Sequence, residues 1–228
     1  MNDEVTHAEP KTSSVTRILV IDDHPIVRHG LVELIQAEPD LQVVAEASDA
    51  NETIEVLRET AIDLVVLDLS LDGMDGLELI KSIRAMHGDV PILVVSTHDE
   101  KFYAQRALHA GALGYLSKGC AVDEIVDAVR RVRTGKIYVS EAVSDLILHH
   151  IVDGRKEAAL SPIDRLSDRE LEVFRNIGRG LSTRQIAEQL SLSVKTIETY
   201  RENIKAKLDF DSGHEMIRYA VQWNLEDS

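Results

Sequence analysis

Ile18-Leu19-Val20-Ile21-Asp22-Asp23 and Leu64-Val65-Val66-Leu67-Asp68 each place carboxylates at the end of a short apolar run. Ile92-Leu93-Val94-Val95-Ser96 and Tyr115-Leu116-Ser117-Lys118 end the same way, on a hydroxyl and an ammonium. Apolar runs this short, separated by helix-like segments, predict parallel strands buried on both faces. In such sheets ligand chemistry collects at the carboxyl ends of the strands. Asp22, Asp23, Asp68, Ser96 and Lys118 are therefore expected on one edge. Three carboxylates, a hydroxyl and an ammonium suit a divalent cation together with a phosphoryl group.

Outward from these runs, strand and helix signals alternate. Arg17–Asp22 reads as a strand and Pro25–Glu38 as a helix with Val27, Leu31, Leu34 and Ile35 on one face. Leu41–Ala47 is a second strand, and Ser48 is the expected N-cap of a helix reaching about Thr60. Gly76–Met86 and Glu100–Ala110 read as helices, the latter stopped by Gly111. Val122–Arg133 repeats Val122, Ile125, Val126, Val129 and Val132 at helical spacing, and Met74 and Met86 read as core fillers. Five strands alternating with five helices imply an α/β fold with a doubly wound, five-stranded parallel sheet.

Ser140–Val152 is again helix-like, and Asp153–Arg165 mixes Gly, Pro, Ser and charge without periodicity, as a linker does. Beyond it only helices are signalled. Ser182-Thr183-Arg184-Gln185 is a capping box, and Ser193 caps a longer helix with Val194, Ile197, Ile204 and Leu208 as its inward stripe. Only Ser191-Leu192 intervenes between those two helices. This layout predicts a small all-α helix-turn-helix domain. The limits expected are a disordered arm at 1–15, an α/β domain at 16–137, a helix and linker at 138–165, and the helical domain at 166–228.

The chain carries a net −15, which argues against phosphate binding unless a local cationic face exists. From Leu166 onward, 9 Lys and Arg stand against 11 Asp and Glu, a net of −2 that leaves room for one. The single cysteine, Cys120, excludes an internal disulfide framework and fits a reducing compartment. Residues 1–15 lack the basic start and apolar core of a signal peptide, and no apolar run has a membrane helix's length. The expectation is a cytoplasmic protein without a membrane partner.

On Asp22-Asp23-His24-Pro25, Leu67-Asp68-Leu69, Val95-Ser96-Thr97 and Gly114-Tyr115-Leu116-Ser117-Lys118, residues 17–135 resemble the flavodoxin-like receiver domain of two-component response regulators. Residues 166–225 resemble the LuxR-type effector of the NarL/FixJ family. There the strings are Leu166-Ser167-Asp168-Arg169-Glu170, Gly180-Leu181-Ser182-Thr183-Arg184-Gln185-Ile186-Ala187 and Ser193-Val194-Lys195-Thr196-Ile197. The resemblance implies Asp68 as acceptor of a phosphoryl group from a sensor histidine kinase. It implies Mg²⁺ on Asp22, Asp23, Asp68 and the backbone carbonyl of Ser70, with Lys118 on a phosphoryl oxygen. Ser96, ahead of Thr97, would sense the phosphoryl group, and Tyr115 would rotate inward once the following loop has moved.

Two departures stand out: Leu71-Asp72-Gly73 replaces the family's Met-Pro-Gly, and Gly119 replaces a proline after Lys118, making a cis peptide there less expected. Asp68-Leu69-Ser70 also lacks the second Asp that a phosphatase with an Asp nucleophile would need, which disfavours an enzyme. His24, His29, His98 and His109 do not fall at metal-ligand spacing and read as surface or cap residues.

At 100° per residue, Lys195, Thr199, Glu202 and Asn203 lie opposite the apolar stripe of the last capped helix, flanked by Thr196 and Glu198. By analogy this face enters the major groove of double-stranded DNA. Lys195, Thr196 and Thr183 suit phosphates, and Glu198, Thr199 and Glu202 suit base edges. Arg201 is divided between an intradomain ion pair and a phosphate contact. A module this acidic is expected to bind an inverted-repeat promoter site as a homodimer on activation. The reading is a phosphorylation-activated transcriptional regulator. The alternative is a receiver-containing regulator that works through protein contacts, kept open by the two glutamates on the reading face.

Overall fold

A computed structural model of the protein describes residues 15–71, 75–152 and 162–226. The expected arm (but for Val15), the Asp72–Met74 stretch and the linker residues 153–161 lie outside the described residues. The first unit runs β1 (Thr16–Ile21), α1 (Pro25–Gln36), β2 (Leu41–Ala47), α2 (Ala50–Glu59), β3 (Leu64–Leu67) and α3 (Gly76–Met86). It continues through β4 (Ile92–Ser96), α4 (Glu100–Ala110), β5 (Gly114–Ser117) and α5 (Val122–Val132). All strand pairs are parallel, in the order β2-β1-β3-β4-β5. The five-stranded doubly wound sheet expected from the apolar runs is therefore present.

Alternation along β1 shows why the sheet needs two covering layers. Ile18 and Val20 join Leu31, Val32 and Ile35 of α1 and Ile125, Val129 and Val132 of α5 on one face. Leu19 and Ile21 point the other way, into a cluster with Leu57 of α2, Leu77, Ile80 and Ile83 of α3 and Tyr103 and Ala107 of α4. Every residue of β3 and β4 is buried, so apolar side chains fill both faces of these strands and the one polar residue, Ser96, stands at the carboxyl end of β4.

Helix ends follow local chemistry. Asp49, not Ser48, caps α2, its carboxylate accepting from the Asn51 and Glu52 amides; Ser48 instead donates to Glu52. The Asp49 carboxylate, one residue on, reaches the first-turn amides. Gly111 ends α4 at φ +115°, a left-handed conformation that L side chains resist. Val122 is 61 % exposed and Met86 41 % exposed, so neither belongs to the core predicted for it. Val122 is the first residue of α5, before the helix turns its apolar face onto the sheet. No peptide among the described residues is cis.

The chain then forms α6 (Glu141–Val152), packed along α4, a 3-10 turn at Pro162–Arg165, and four helices. These are α7 (Asp168–Gly178), α8 (Thr183–Gln189), α9 (Val194–Lys207) and α10 (Gly213–Glu226). Phe174, Ile177, Ile186, Ile197, Ile204 and Met216 close their core. At the α7–α10 crossing a Cβ on Gly178 would lie 2.4 Å from the Ala220 carbonyl oxygen. Gly178→Ala is expected to destabilise this unit by about 1–3 kcal/mol through overpacking, read as a lower urea midpoint by Trp223 fluorescence. No helix among the described residues is long and apolar enough to cross a membrane.

Candidate functional site

The order of the strands reverses between β1 and β3, where a doubly wound sheet opens a crevice at its carboxyl edge. Asp22 and Asp23 follow β1, and Asp68 follows β3, its amide donating to the Ile21 carbonyl at 2.9 Å. Asp22 is fully buried and Asp68 2 % exposed. Two ionised carboxylates at that depth require a cation. Lys118 supplies it from the end of β5, with Nζ 2.7 Å from Asp22 Oδ2 and 2.6 Å from Asp68 Oδ2. Burial presses the Lys118 pKa down, but the charge of Asp68 and hydrogen bonds to Asp22 and Asp68 outweigh it, leaving the pKa raised. The ammonium is firmly charged.

Asp68 Oδ1 is buried with no hydrogen-bond partner. Donor atoms of Asp22, Asp23, His24 and Asp68 all lie within 4.8 Å of one another. An orphaned carboxylate oxygen among hard oxygen donors fits Mg²⁺, which takes such ligands and keeps several waters. His24 stands beside this cluster. It precedes α1 without a side-chain cap bond; its amide donates to Asp22 Oδ1 at 2.8 Å and its ring Nδ1 lies 2.6 Å from Asp23 Oδ1. The residue is exposed at the N-cap of α1, as expected, and from there also touches the acidic cluster. Ser70 lies in the loop leaving β3.

Between the two candidate sensors, burial separates the hydroxyls: Ser96 is fully buried at the end of β4, whereas Thr97 is exposed. Tyr115 is 1 % exposed, and its hydroxyl donates to the His98 carbonyl at 2.9 Å. Its ring is already inward here, so the expected rotation does not start from an outward position in this structure. Burial pushes the Tyr115 phenol pKa up.

Sequence reasoning missed His98. Its ring stacks on Tyr103 at 4.4 Å between centroids, and its Nε2 lies 3.3 Å from Ser70 Oγ. Burial lowers its pKa. It therefore touches the loop after Asp68, the carbonyl-bound Tyr115 and α4 together. Its only signal in the sequence is a place two residues after Ser96.

A face between the two units was also not legible. The Arg106 guanidinium of α4 donates to the Leu166 carbonyl at 2.9 Å and to Asp168 Oδ1 at 2.7 Å. Phe102 of α4 meets Trp223 of α10 at 4.8 Å and carries the Arg175 guanidinium 5.6 Å above its ring. Near this junction Asp75 caps α3 through the Leu77 amide. Burial pushes its carboxyl up to about 6 from an ordinary 3.8, with Asp168 adding to the rise. The folded form holds that proton more tightly than the unfolded chain. The resulting stability is therefore full below about pH 4 and is lost as pH rises through about 6. Asp75→Asn keeps a cap acceptor. It is expected to gain about 2 kcal/mol over wild type at pH 7 and to flatten the pH 4–6 slope of the melting temperature.

In the helical unit, Ser182 and Gln185 form a complete capping box for α8, and Ser193 Oγ accepts from the Thr196 amide at 3.0 Å. Between the helices Ser191 sits at φ 51°. Lys195, Glu198, Thr199, Glu202 and Asn203 are all exposed, and Thr183 and Thr196 are partly so. The outward face of α9 is therefore not covered by the α/β unit, whose contacts described above fall on α7 and α10. Glu202 pairs with Lys205 at 2.7 Å, which offsets one of the two acidic residues on that face. Val194, placed in the inward stripe by periodicity, is 43 % exposed, because as the first residue of α9 it precedes the turn that packs. Arg201 makes no ion pair among the described residues.

Comparison with known proteins agrees with both units. Residues 18–130 match the response regulator receiver domain, and residues 164–220 match the bacterial regulatory proteins of the luxR family. Response regulator UvrY of Escherichia coli is 35 % identical over 209 residues, covering 91 % of this chain and 94 % of that protein. A nitrate/nitrite response regulator protein homolog of Haemophilus influenzae is 35 % identical over 196 residues, covering 86 % and 91 %. Among solved structures, RcsB from Salmonella enterica serovar Typhimurium, bound to promoter P1flhDC with the phosphomimetic BeF3-, aligns with TM-score 0.57. It shares 27 % identity over 91 % of this chain and 100 % of that one. The chain belongs to the response regulators that join a receiver domain to a LuxR-type helix-turn-helix domain.

Proposed function

We propose that this response regulator takes a phosphoryl group on Asp68 from a sensor histidine kinase and, so activated, binds an inverted-repeat promoter site as a homodimer. One observation carries the reading: a buried Asp68 with an unpartnered oxygen, ion-paired to Lys118 at the sheet's switch point, on the same chain as an exposed recognition helix. The receiver is taken as 16–137, the helix and linker as 138–165 and the effector as 166–228.

Asp68 is the nucleophile, attacking phosphorus with a carboxylate oxygen. Asp22, Asp23, Asp68 and the Ser70 carbonyl would hold Mg²⁺, which when bound neutralises charge on the phosphoryl oxygens. Lys118, already against Asp68, exchanges that contact for a phosphoryl oxygen. Ser96, buried one strand over, offers its hydroxyl to another. Moving the Ser96 loop moves His98, and with it the hydrogen bond from Tyr115 and the stacked Tyr103 on α4. Because α4 holds the effector through Arg106 and Phe102, a shift at Ser96 reaches α7 and α10 by direct contact. The outward face of α9 is open before activation, so the role of phosphorylation supported here is to set the pairing of two effectors rather than to uncover the reading helix.

On DNA, Lys195, Thr196 and Thr183 anchor phosphates, and Glu198, Thr199, Glu202 and Asn203 face the bases. Glutamate accepts from cytosine N4. Lys195→Ala is expected to weaken binding about uniformly across sequences and to flatten the salt slope by roughly one, whereas Thr199→Ala relaxes preference at one base position. Both follow from titrations of a selected duplex over a range of salt. Unchanged affinity, slope and preference in both variants would transfer the function to protein contacts.

A further inference from the structure

We propose that Glu170 and Lys207 are a positioning pair for the reading helix: the buried carboxylate of α7 fixes the end of α9 and with it the aim of its outward face. The proposal rests on α9 being the helix that meets DNA. Glu170 Oε2 lies 2.6 Å from Lys207 Nζ, and the two side chains are 4 % and 41 % exposed. The same oxygen accepts the Ser167 amide at 2.7 Å, and Ser167 in turn caps α7. A capping box therefore holds the carboxylate in place before it meets α9. Lys207 finds a fixed, desolvated anchor there, unlike the partner in an exposed ion pair.

The contact differs in kind from others that α9 makes. Ile197 and Ile204 are fully buried beneath the helix, but apolar contact is non-directional. Ser193 bonds Thr196, Thr199 bonds the Lys195 carbonyl and Glu202 pairs with Lys205, all within the helix and its cap. Lys207 reaches across to another helix. It is the last residue of α9, about one turn beyond Asn203, so it holds the end nearest Glu202 and Asn203. Lys195 and Thr196, the phosphate anchors, stand at the opposite end. Base-edge hydrogen bonds depend steeply on distance and angle. Releasing the Lys207 end therefore costs base contacts while phosphate contacts persist.

The same geometry admits a rival use. A half-exposed Lys207 would serve as a phosphate contact in its own right, with Glu170 merely reducing its charge. The two uses predict opposite results for the carboxylate.

The test titrates a selected duplex and its single-base variants with full-length chains matched for label on Asp68, over a range of salt. Trp223 fluorescence in urea confirms that each chain is folded under the binding conditions. Glu170→Gln keeps an oxygen for the Ser167 amide and removes the charge. Glu170→Gln and Lys207→Met are each expected to weaken binding about tenfold, as for the loss of one charge-assisted contact. Both should flatten the preference among single-base variants and leave the salt slope at its wild-type value. The two substitutions in one chain should weaken binding no more than either alone, because they break one interaction. Lys207→Arg restores the cation and should retain both affinity and preference. Tighter binding by Glu170→Gln, with a salt slope flatter by roughly one in Lys207→Met, would overturn the proposal and make Lys207 a phosphate contact. Unchanged affinity and preference in both single variants, with only the urea midpoint lowered, would overturn it as well and leave the pair a purely structural one. Absence of selective binding by wild type would instead remove the reading of α9 on which the pair's role rests.

Discussion

Incubated with a small phosphodonor and Mg²⁺, the wild-type chain is expected to gain one phosphoryl group that is labile to acid and base, and Asp68→Asn is expected to gain none. The loss is expected to be complete, because an amide offers no anionic oxygen to attack phosphorus. Asp22 Oδ2 and Asp68 Oδ1 are both buried without a hydrogen-bond partner, but Asp22 Oδ2 is ion-paired to Lys118 at 2.7 Å, which leaves Asp68 Oδ1 the less satisfied oxygen. Asp23 shares its oxygen with the His24 ring, and Asp22 accepts from the His24 amide and pairs with Lys118. Asn at position 68 keeps the size and shape of the side chain, so the fold should persist. Labelling of Asp68→Asn at the wild-type rate, seen by intact mass, would move the acceptor elsewhere.

The second large effect is on stability. Lys118→Met removes the cation that Asp22 and Asp68 share among the described residues, leaving two buried carboxylates close together. Breaking a buried ion pair from one side costs about 3–5 kcal/mol, so in chelator the variant should melt far below wild type. Mg²⁺ should recover much of that loss, since a cation bound only by the native state stabilises it. In wild type the Mg²⁺-linked rise is smaller and should largely vanish in Asp23→Asn. An Mg²⁺-independent melting temperature in Lys118→Met would count against this ligand set.

The parallel sheet was legible because each strand is an uninterrupted apolar run ending in a polar residue, and burial on both faces leaves such a run no other use. The same feature made Asp22, Asp23, Asp68, Ser96 and Lys118 legible as one edge, since the end of a strand fixes which residues emerge there. Helix interiors were legible by period, but their first residues were not. Val122 and Val194 match the spacing yet face solvent, because the first turn precedes the packed surface. His98 was misread for a related reason. It owes its place to a loop conformation and to partners on other elements, Tyr103 and Ser70. The α4 face that holds α7 and α10 joins residues some 60 positions apart, such as Arg106 and Asp168. Neither carries a periodic mark that singles it out.

The central claim is that one phosphoryl group on Asp68 controls DNA binding by α9. The most direct measurement takes a duplex selected from a random pool and titrates it with wild type and Asp68→Asn, each with and without phosphodonor, over a range of salt. The account predicts salt-dependent, sequence-selective binding that phosphorylation strengthens in wild type, with dimers on a two-half-site duplex, and no response in Asp68→Asn. Binding that is equally strong in all four conditions, or no selective binding in any of them, would contradict it.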